Sequence, residues 1–147
     1  MHATCCDGPM RVSAPLRGRT ILLVEDEATV CDVWRELLEH RGARVMTAAD
    51  GLEGLARLKR KRPHAILCDL GMPIMDGLEF ARRLRCDPRH RRTLLIAVTG
   101  REDDRDFNDT WNAGFDGHVV KPVAAAALEA LVQRLSRHPV PRMRDCA

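Results

Sequence analysis

The sequence predicts a doubly wound α/β fold with a five-stranded parallel sheet, and two observations support this prediction. Short apolar runs alternate with segments of helical periodicity, in the order (βα)₅. The strongest runs are continuously apolar, as expected for parallel strands covered by helices on both faces. Right-handed crossovers then favour the strand order 2-1-3-4-5, with a ligand site at the carboxyl ends of the strands.

Five segments are predicted as strands. Four are strongly apolar, and the second along the chain is weaker because polar residues interrupt it. In chain order, the predicted strands are Thr20–Glu25, Arg44–Ala48, Ala65–Leu70, Thr93–Thr99 and His118–Lys121. Cys68, inside the third strand, is expected to be a small buried residue.

Five segments have the 3.6-residue apolar period of amphipathic helices. The predicted helices are Ala28–His40, Leu52–Arg60, Leu78–Arg85, Asp104–Ala113 and Ala124–Arg137. The apolar stripe of the first helix consists of Val30, Val33, Trp34, Leu37 and Leu38. Gly42 and Gly114 follow the first and fourth helices closely, as C-terminal stops should.

The predicted elements form one domain over residues 19–137, a length that supports a hydrophobic core of its own. Residues 1–18 show little periodicity and are expected to be a flexible N-terminal extension. Residues 138–147 contain two prolines and are expected to be a C-terminal tail. We expect no DNA-binding domain, because a helix-turn-helix needs more residues than this tail provides.

Composition argues against several classes of protein. The six cysteines lack the spacing of a zinc site. There is neither a signal-like apolar segment at the start nor a stretch of about 18 apolar residues, so we expect a cytoplasmic protein without a membrane segment. The net charge is +3, and arginines concentrate in residues 57–62 and 82–92. We expect those segments to be solvated helix faces, since few aromatic residues are available to stack on nucleic-acid bases.

Polar side chains stand at the ends of four predicted strands. Glu25 and Asp26 follow the first, Asp69 lies in the third, and Thr99 and Lys121 end the fourth and fifth. These strands are close neighbours in the predicted sheet, so the side chains are expected to meet at one edge. Three gathered carboxylates repel one another unless cations offset them, and Mg²⁺ together with the lysine would do so. A carboxylate in such a site can take up a phosphoryl group.

Four segments of the sequence together resemble a known family. They are LLVEDE, CDLGMPIMDG, AVTG and HVVKP, in this order within residues 19–137. On these segments the chain resembles the bacterial response-regulator receiver domains of the chemotaxis-regulator type, whose flavodoxin-like fold has the strand order given above. It also resembles receivers of hybrid sensor kinases, by analogy of fold alone.

The resemblance implies a role for each residue of the predicted switch. Asp69 is expected to be the phosphoacceptor, Lys121 the ammonium that pairs with the phosphoryl oxygens, and Thr99 the hydroxyl that moves toward them. The peptide between Lys121 and Pro122 is expected to be cis. His118 stands where the family usually has Tyr or Phe, a ring that turns inward on activation. The resemblance therefore predicts the phosphorylation of the chain more firmly than the output of the switch.

The resemblance also implies a magnesium site. Asp26 is expected to bind Mg²⁺ directly, and Glu25 through water. The carboxylate of Asp69 and the backbone carbonyl of Gly71 would complete the protein ligands.

The implied function is that of a phosphorelay switch. A histidine kinase or a phosphotransfer protein would present a phosphohistidine, and Asp69 would accept its phosphoryl group. The change would alter a surface formed by the fourth helix, fifth strand and fifth helix (α4-β5-α5), which would bind a downstream protein. We expect a phosphoacceptor protein rather than an enzyme, one that assists its own phosphoryl transfer and dephosphorylation. Self-association as a homodimer stays open.

Two other classes compete with this interpretation, a binding module and an enzyme on a similar scaffold, either a phosphatase or a flavin protein. A phosphorylation-independent, receiver-like protein-binding module would keep the fold without the chemistry, and the complete acidic set argues against it. A phosphatase of the haloacid-dehalogenase type would need a second aspartate where Gly71 stands. A flavin protein would need a phosphate-cradling loop after the first strand, where the acidic residues 25–27 would repel phosphate.

Overall fold

The predicted (βα)₅ architecture is confirmed in a computed structural model that describes residues 14–100, 104–121 and 124–138. Its strands form one parallel sheet in the order β2-β1-β3-β4-β5. The strands are β1 (Thr20–Val24), β2 (Arg44–Ala48), β3 (Ala65–Asp69), β4 (Leu94–Thr99) and β5 (Gly117–Val120). This order brings the carboxyl ends of β1, β3, β4 and β5 to one edge of the sheet.

The five helices agree with their predicted bounds to within one residue. They are α1 (Ala28–His40), α2 (Gly51–Arg60), α3 (Gly77–Arg85), α4 (Asp104–Ala113) and α5 (Ala125–Arg137). Helices α2 and α3 each begin one residue before the predicted start, because Asp50 and Asp76 act as N-caps. The side chain of Asp50 accepts a hydrogen bond from the N–H of Glu53, and that of Asp76 accepts one from the N–H of Glu79. A short 3₁₀ turn, Pro88–His90, was not predicted.

The sheet is covered on both faces, which explains why its strands are continuously apolar. Ile21 and Leu23 of β1 point into a core shared with α1 and α5. Leu22 and Val24 point to the opposite face, into a core with residues of α2, α3 and α4 that includes Phe80. Successive residues from Ile21 to Val24 thus alternate between two buried cores, which is why this run of β1 is apolar throughout.

The apolar stripe of α1 is partly different from the predicted one. Its buried residues are Cys31, Trp34 and Leu38, spaced three and four apart as one helix face requires. Val33 and Leu37 are exposed, at 52% and 37%, so their assignment to the core stripe is wrong. Each precedes a buried residue by one position, which turns it about 100° away from the core around the helix axis.

The domain begins earlier than predicted. Residues 14–18 form a turn in which Leu16 is fully buried in the core shared by α1 and α5. The N–H of Leu16 donates to the carbonyl of Arg41 at 2.9 Å, which fixes the turn to the end of α1. The expectation of a flexible extension over residues 1–18 is therefore wrong for this turn, and residues 1–13 lie outside the described residues.

Two predicted helix stops are confirmed by backbone geometry. Gly42 has φ +98° and Gly114 has φ +110°, a region that residues with a side chain rarely adopt. Of the predicted C-terminal tail, His138 alone lies within the described residues. Among the described helices, none is long and apolar enough to cross a bilayer.

We expect the fold to lose stability in mild acid, because His64 is held in its neutral form. The backbone N–H of Thr20 donates to Nδ1 of His64 at 2.8 Å, a bond that only an unprotonated nitrogen accepts. Burial, aided by the positive charge of Arg19, lowers the pKa of His64 below its ordinary 6.5. The unfolded chain then binds the proton more readily, so this contribution is present above the ordinary pKa and is lost as the pH falls below it.

Urea unfolding at about pH 7.5 and about pH 5.5 measures this effect. The wild-type free energy of unfolding should fall between the two, and it should fall less in His64→Asn, which keeps a hydrogen-bond acceptor but cannot titrate. An equal fall in both proteins would contradict this role of His64.

Candidate functional site

The residues predicted to act together do meet at the carboxyl edge of the sheet. A cavity of about 510 Å³ opens there, lined by Asp69, Gly71, Asp76, Thr99 and Lys121, among others. Asp76 was not singled out from the sequence. Its Asp-Gly step before an apolar helix is an N-cap signal that would have placed it beside the site.

Three carboxylates gather at this edge. Glu25, Asp26 and Asp69 each place one carboxylate oxygen so that all three atoms lie within 4.8 Å of one another. The side chain of Glu25 is held by its own loop, since its Oε1 accepts the N–H of Glu27 at 3.3 Å. Such a set of hard oxygen donors, one buried and one exposed, suits a divalent cation such as Mg²⁺ that retains water ligands.

The backbone of Gly71 supports the carboxylate of Asp69. Its N–H donates to Asp69 Oδ1 at 3.2 Å, which fixes the orientation of this side chain. Gly71 therefore lies beside the acidic cluster, as the sequence predicted. The role of its carbonyl as a metal ligand stays a prediction.

Lys121 is the cation of the site. Its Nζ lies 2.8 Å from Glu25 Oε2 and 3.6 Å from Asp69 Oδ2. Its backbone N–H donates to the carbonyl of Thr99 at 2.7 Å, so the end of β5 is tied to the end of β4. The ammonium is thus shared by two acids, and its closer partner is Glu25.

Burial and the crowding of like charges perturb these groups. Burial raises the pKa of Glu25, and the charge of Asp69 adds to this effect against the opposing hydrogen bond from Lys121. Burial alone would lower the pKa of Lys121, but the hydrogen bond to Glu25 and the charge of Asp69 outweigh it and raise that pKa. The lysine is therefore cationic near neutrality, and the site as a whole favours additional positive charge.

A glycine that the sequence reasoning missed fixes the main chain beneath Asp69. The N–H of Gly77 donates to the carbonyl of Leu70 at 3.1 Å, which closes the loop between β3 and α3. A Cβ atom at Gly77 would lie 2.6 Å from the carbonyl oxygen of Asp69. The loop therefore needs glycine at this position, because its backbone approaches the carbonyl of Asp69 closely. Ile74 in the same loop adopts a left-handed φ of +71°.

The predicted switch residues lie on the neighbouring strands β4 and β5, where Thr99 pairs with Val120 and His118 with Ala97. Thr99 is buried at the end of β4 and lines the cavity of Asp69. His118 is half-buried on β5 and lines a neighbouring cavity of about 540 Å³ between β5 and α5. Pro122 lies outside the described residues, so the cis peptide predicted after Lys121 stays a prediction.

Comparison with known proteins identifies the family. Residues 21–133 match the model of the response regulator receiver domain. The chain is 36% identical over 118 residues to the transcriptional regulatory protein AfsQ1 of Streptomyces coelicolor, which covers 80% of this chain and 51% of that protein. The chain therefore spans about half the length of this relative.

Solved structures of response regulators and receiver domains agree with this family match. The chemotaxis response regulator CheY4 of Vibrio cholerae superposes with a TM-score of 0.75 at 29% identity, over 80% of this chain and 98% of CheY4. The receiver domain of the sensor histidine kinase PA1611 from Pseudomonas aeruginosa, which has a magnesium ion in its active site cleft, gives a TM-score of 0.74 at 34% identity, over 81% and 98% of the two chains. Fold, acidic cluster and family match agree, and the chain belongs to the response regulator receiver domain family.

Proposed function

We propose that this receiver domain is a switch that accepts a phosphoryl group on Asp69 from a phosphohistidine of a histidine kinase or a phosphotransfer protein. The observation that carries the proposal is the grouping of the Asp69 carboxylate with two further acids and one ammonium at the carboxyl edge of the sheet. An isolated aspartate at a strand end could be a structural cap. Asp69, in contrast, has a cation in Lys121 and a hydrogen-bond donor in the N–H of Gly71, and phosphoryl transfer needs both kinds of group.

In the proposed reaction, an oxygen of Asp69 attacks phosphorus as the bond to the histidine nitrogen breaks. The electron pair of that bond stays on the imidazole, and the product is an acyl phosphate on Asp69. The N–H of Gly71 orients the attacking carboxylate. Lys121 lies near enough to Asp69 to bond a phosphoryl oxygen there while it keeps its contact with Glu25.

Glu25, Asp26, Asp69 and the carbonyl of Gly71 would hold Mg²⁺. When bound, the ion would supply positive charge against the phosphoryl oxygens. The magnesium in the active site cleft of the PA1611 receiver supports this assignment by similarity. The phosphorylated site would then carry about four negative charges against three positive ones. The Thr99 hydroxyl and backbone N–H groups would stabilise the remaining negative charge by hydrogen bonds.

The output of the switch would be a change in the α4-β5-α5 surface. Thr99 lines the cavity of Asp69, and its carbonyl accepts the N–H of Lys121, so a movement of Thr99 toward the phosphoryl group would be felt at β5. Trp111 on α4 is 68% exposed, and exposed tryptophans are common anchors of protein interfaces. These features favour a downstream protein as the target, and the chain acts as a phosphoacceptor that assists its own transfer and dephosphorylation rather than as an enzyme.

Phosphotransfer from a panel of autophosphorylated histidine kinases and phosphotransfer proteins tests the proposal. Radiolabel should move to this chain from at least one donor within seconds to minutes, and a chelator of Mg²⁺ should abolish the transfer. Failure to accept label from every donor and from small phosphodonors would leave a phosphorylation-independent binding module as the better interpretation.

Removing Asp26 should weaken the affinity for Mg²⁺ by on the order of tenfold or more, because one of three gathered oxygen ligands is lost. Isothermal titration of Asp26→Ala against wild type measures the change. Glu36→Ala is the matched control, since it removes the same charge from an exposed position on α1 outside the cluster. Equal weakening in both variants would indicate a diffuse electrostatic effect rather than a ligand.

A further inference from the structure

A groove of about 340 Å³ lies between α2 and α3. It is lined by α2 from Leu52 to Lys59, by the last turn of α3 and by the 3₁₀ turn. Helices that connect parallel strands run antiparallel to those strands, so the C-terminal ends of α2 and α3 lie at the amino edge of the sheet. Asp69 lies at the opposite, carboxyl edge.

The floor of the groove is apolar. Leu55, Leu58 and Leu84 line it, and Leu52 contributes a side chain at its upper end. Leu58 and Leu84 are buried at the bottom of the floor, whereas Leu52, in the first turn of α2, is 48% exposed. The apolar surface that the groove offers to a ligand is therefore that of Leu52 and the partly buried Leu55.

The rim of the groove is basic. Lys59, Arg83 and Arg89 line it, and Lys59 forms no ion pair with any described residue. Arg89 pairs with the lining carboxylate Asp87 at 2.8 Å and Arg83 with Glu79 at 3.0 Å, so Lys59 is the rim cation whose charge no described carboxylate offsets.

The surrounding surface extends this positive charge. Residues 57–62 hold five basic side chains and no acid, and residues 82–92 hold six arginines and one acid. Cations in the last turn of a helix interact favourably with the helix dipole, which accounts for some of them. Lys61 follows the end of α2 and is exposed. The helix dipoles therefore do not account for all of the positive charge on this surface.

One polar atom in the wall of the groove also lacks a partner. His90 is 2% exposed, and its Nε2 has no hydrogen-bond partner among the described residues. A buried nitrogen in this state costs free energy.

From this combination we propose that the α2–α3 groove docks an acidic segment of a partner protein that carries leucine-like side chains. Apolar side chains of the segment fill the floor, and its carboxylates meet Lys59 and the arginines of the rim. A nucleic acid would use the positive charge but not the leucine floor. The groove has no Phe, Tyr or Trp on which a base could stack, and the ring of His90 is buried. Docking here does not need the phosphorylation of Asp69, because the groove and the cavity of Asp69 share no lining residue.

The test uses fluorescence anisotropy with a labelled peptide of Leu-Glu-Glu repeats and the chain at low ionic strength. The peptide should bind, whereas Ser-Glu-Glu repeats, which lack the apolar anchors, and Leu-Lys-Lys repeats, which reverse the charge, should bind about tenfold more weakly. Lys59→Glu and Leu52→Ser alter exposed groove residues and should each weaken binding about tenfold. Arg137→Glu makes the same charge change on α5, at the other face of the sheet, and should stay within about twofold of wild type.

Two outcomes would overturn the proposal. The first is that Lys59→Glu and Arg137→Glu weaken binding equally, which would mean that net charge alone attracts the peptide. The second is that a single-stranded DNA oligonucleotide binds more tightly than the peptide and loses affinity in Lys59→Glu, which would assign the basic surface to nucleic acid. Asp69→Asn should bind the peptide as wild type does, so a failure of the proposed phosphorylation leaves this test unaffected.

Discussion

Asp69→Asn is expected to abolish phosphorylation of the chain by a small phosphodonor such as acetyl phosphate in the presence of Mg²⁺. The amide keeps the shape of the side chain and an oxygen for the N–H of Gly71, which lies 3.2 Å from Asp69 Oδ1. It lacks the anionic oxygen that would attack phosphorus and form the acyl phosphate. Intact-mass spectrometry measures the result, as the gain of one phosphoryl group by the wild type and none by the variant.

Asp76→Asn is the matched control for this experiment. Asp76 lines the same cavity and caps α3 through a hydrogen bond from the N–H of Glu79, a bond that asparagine can also accept. The same chemical change a short distance away should therefore leave labelling in place. Labelling of Asp69→Asn at the wild-type level would move the phosphoacceptor to another residue.

The meeting of the site residues could be predicted from the sequence because strand order alone brings them together. Glu25 and Lys121 are 96 residues apart in the chain, and they make an ion pair of 2.8 Å. Each follows directly on a strand whose apolar run is easily recognised, and the parallel sheet brings both strand ends to one edge. The closer contact of Lys121 with Glu25 than with Asp69 could not be predicted, because such a difference depends on side-chain rotamers and loop paths.

The errors at the helix faces have a different cause. Val33 and Leu37 are apolar, but composition does not indicate which of two overlapping helical stripes faces the sheet. In the structure, the stripe that faces the sheet consists of Cys31, Trp34 and Leu38, and Val33 and Leu37 lie outside it. Leu16 was likewise missed because a single leucine in an irregular segment has no periodicity, and its burial depends on tertiary contacts alone.

Arg85 shows a further limit of the sequence. It lies within the arginine-rich residues 82–92, which were expected to be solvated, but its side chain is only 20% exposed. Its guanidinium donates to the carbonyls of His90, Thr93 and Gly114, at 2.8 to 2.9 Å. The close packing of Arg85 against Gly114 leaves no room there for a side chain, since a Cβ would lie 2.6 Å from Arg85 Cγ.

Asp116 completes this clasp between α3 and the segment that leads into β5. Arg85 donates to Asp116 Oδ2 at 2.9 Å, and the N–H of Leu95 donates to the same oxygen at 2.9 Å. The pair therefore joins the end of α3, the start of β4 and the approach to β5. The N-terminal ends of β4 and β5 are fixed in this way, at the edge of the sheet opposite to Asp69.

Arg85→Ala is accordingly expected to lower the free energy of unfolding by about 3 kcal/mol, because it leaves several carbonyls and the partly buried carboxylate of Asp116 without their donor. Arg85→Lys should lose less, since an ammonium keeps the charge but cannot reach all four partners at once. Arg82→Ala serves as the control: this exposed arginine of the same helix makes one ion pair of 3.8 Å, and its loss should cost no more than about 0.5 kcal/mol. Urea unfolding of the three variants measures the differences, and equal values for Arg85→Ala and Arg82→Ala would mean that the clasp contributes nothing beyond an ordinary surface charge.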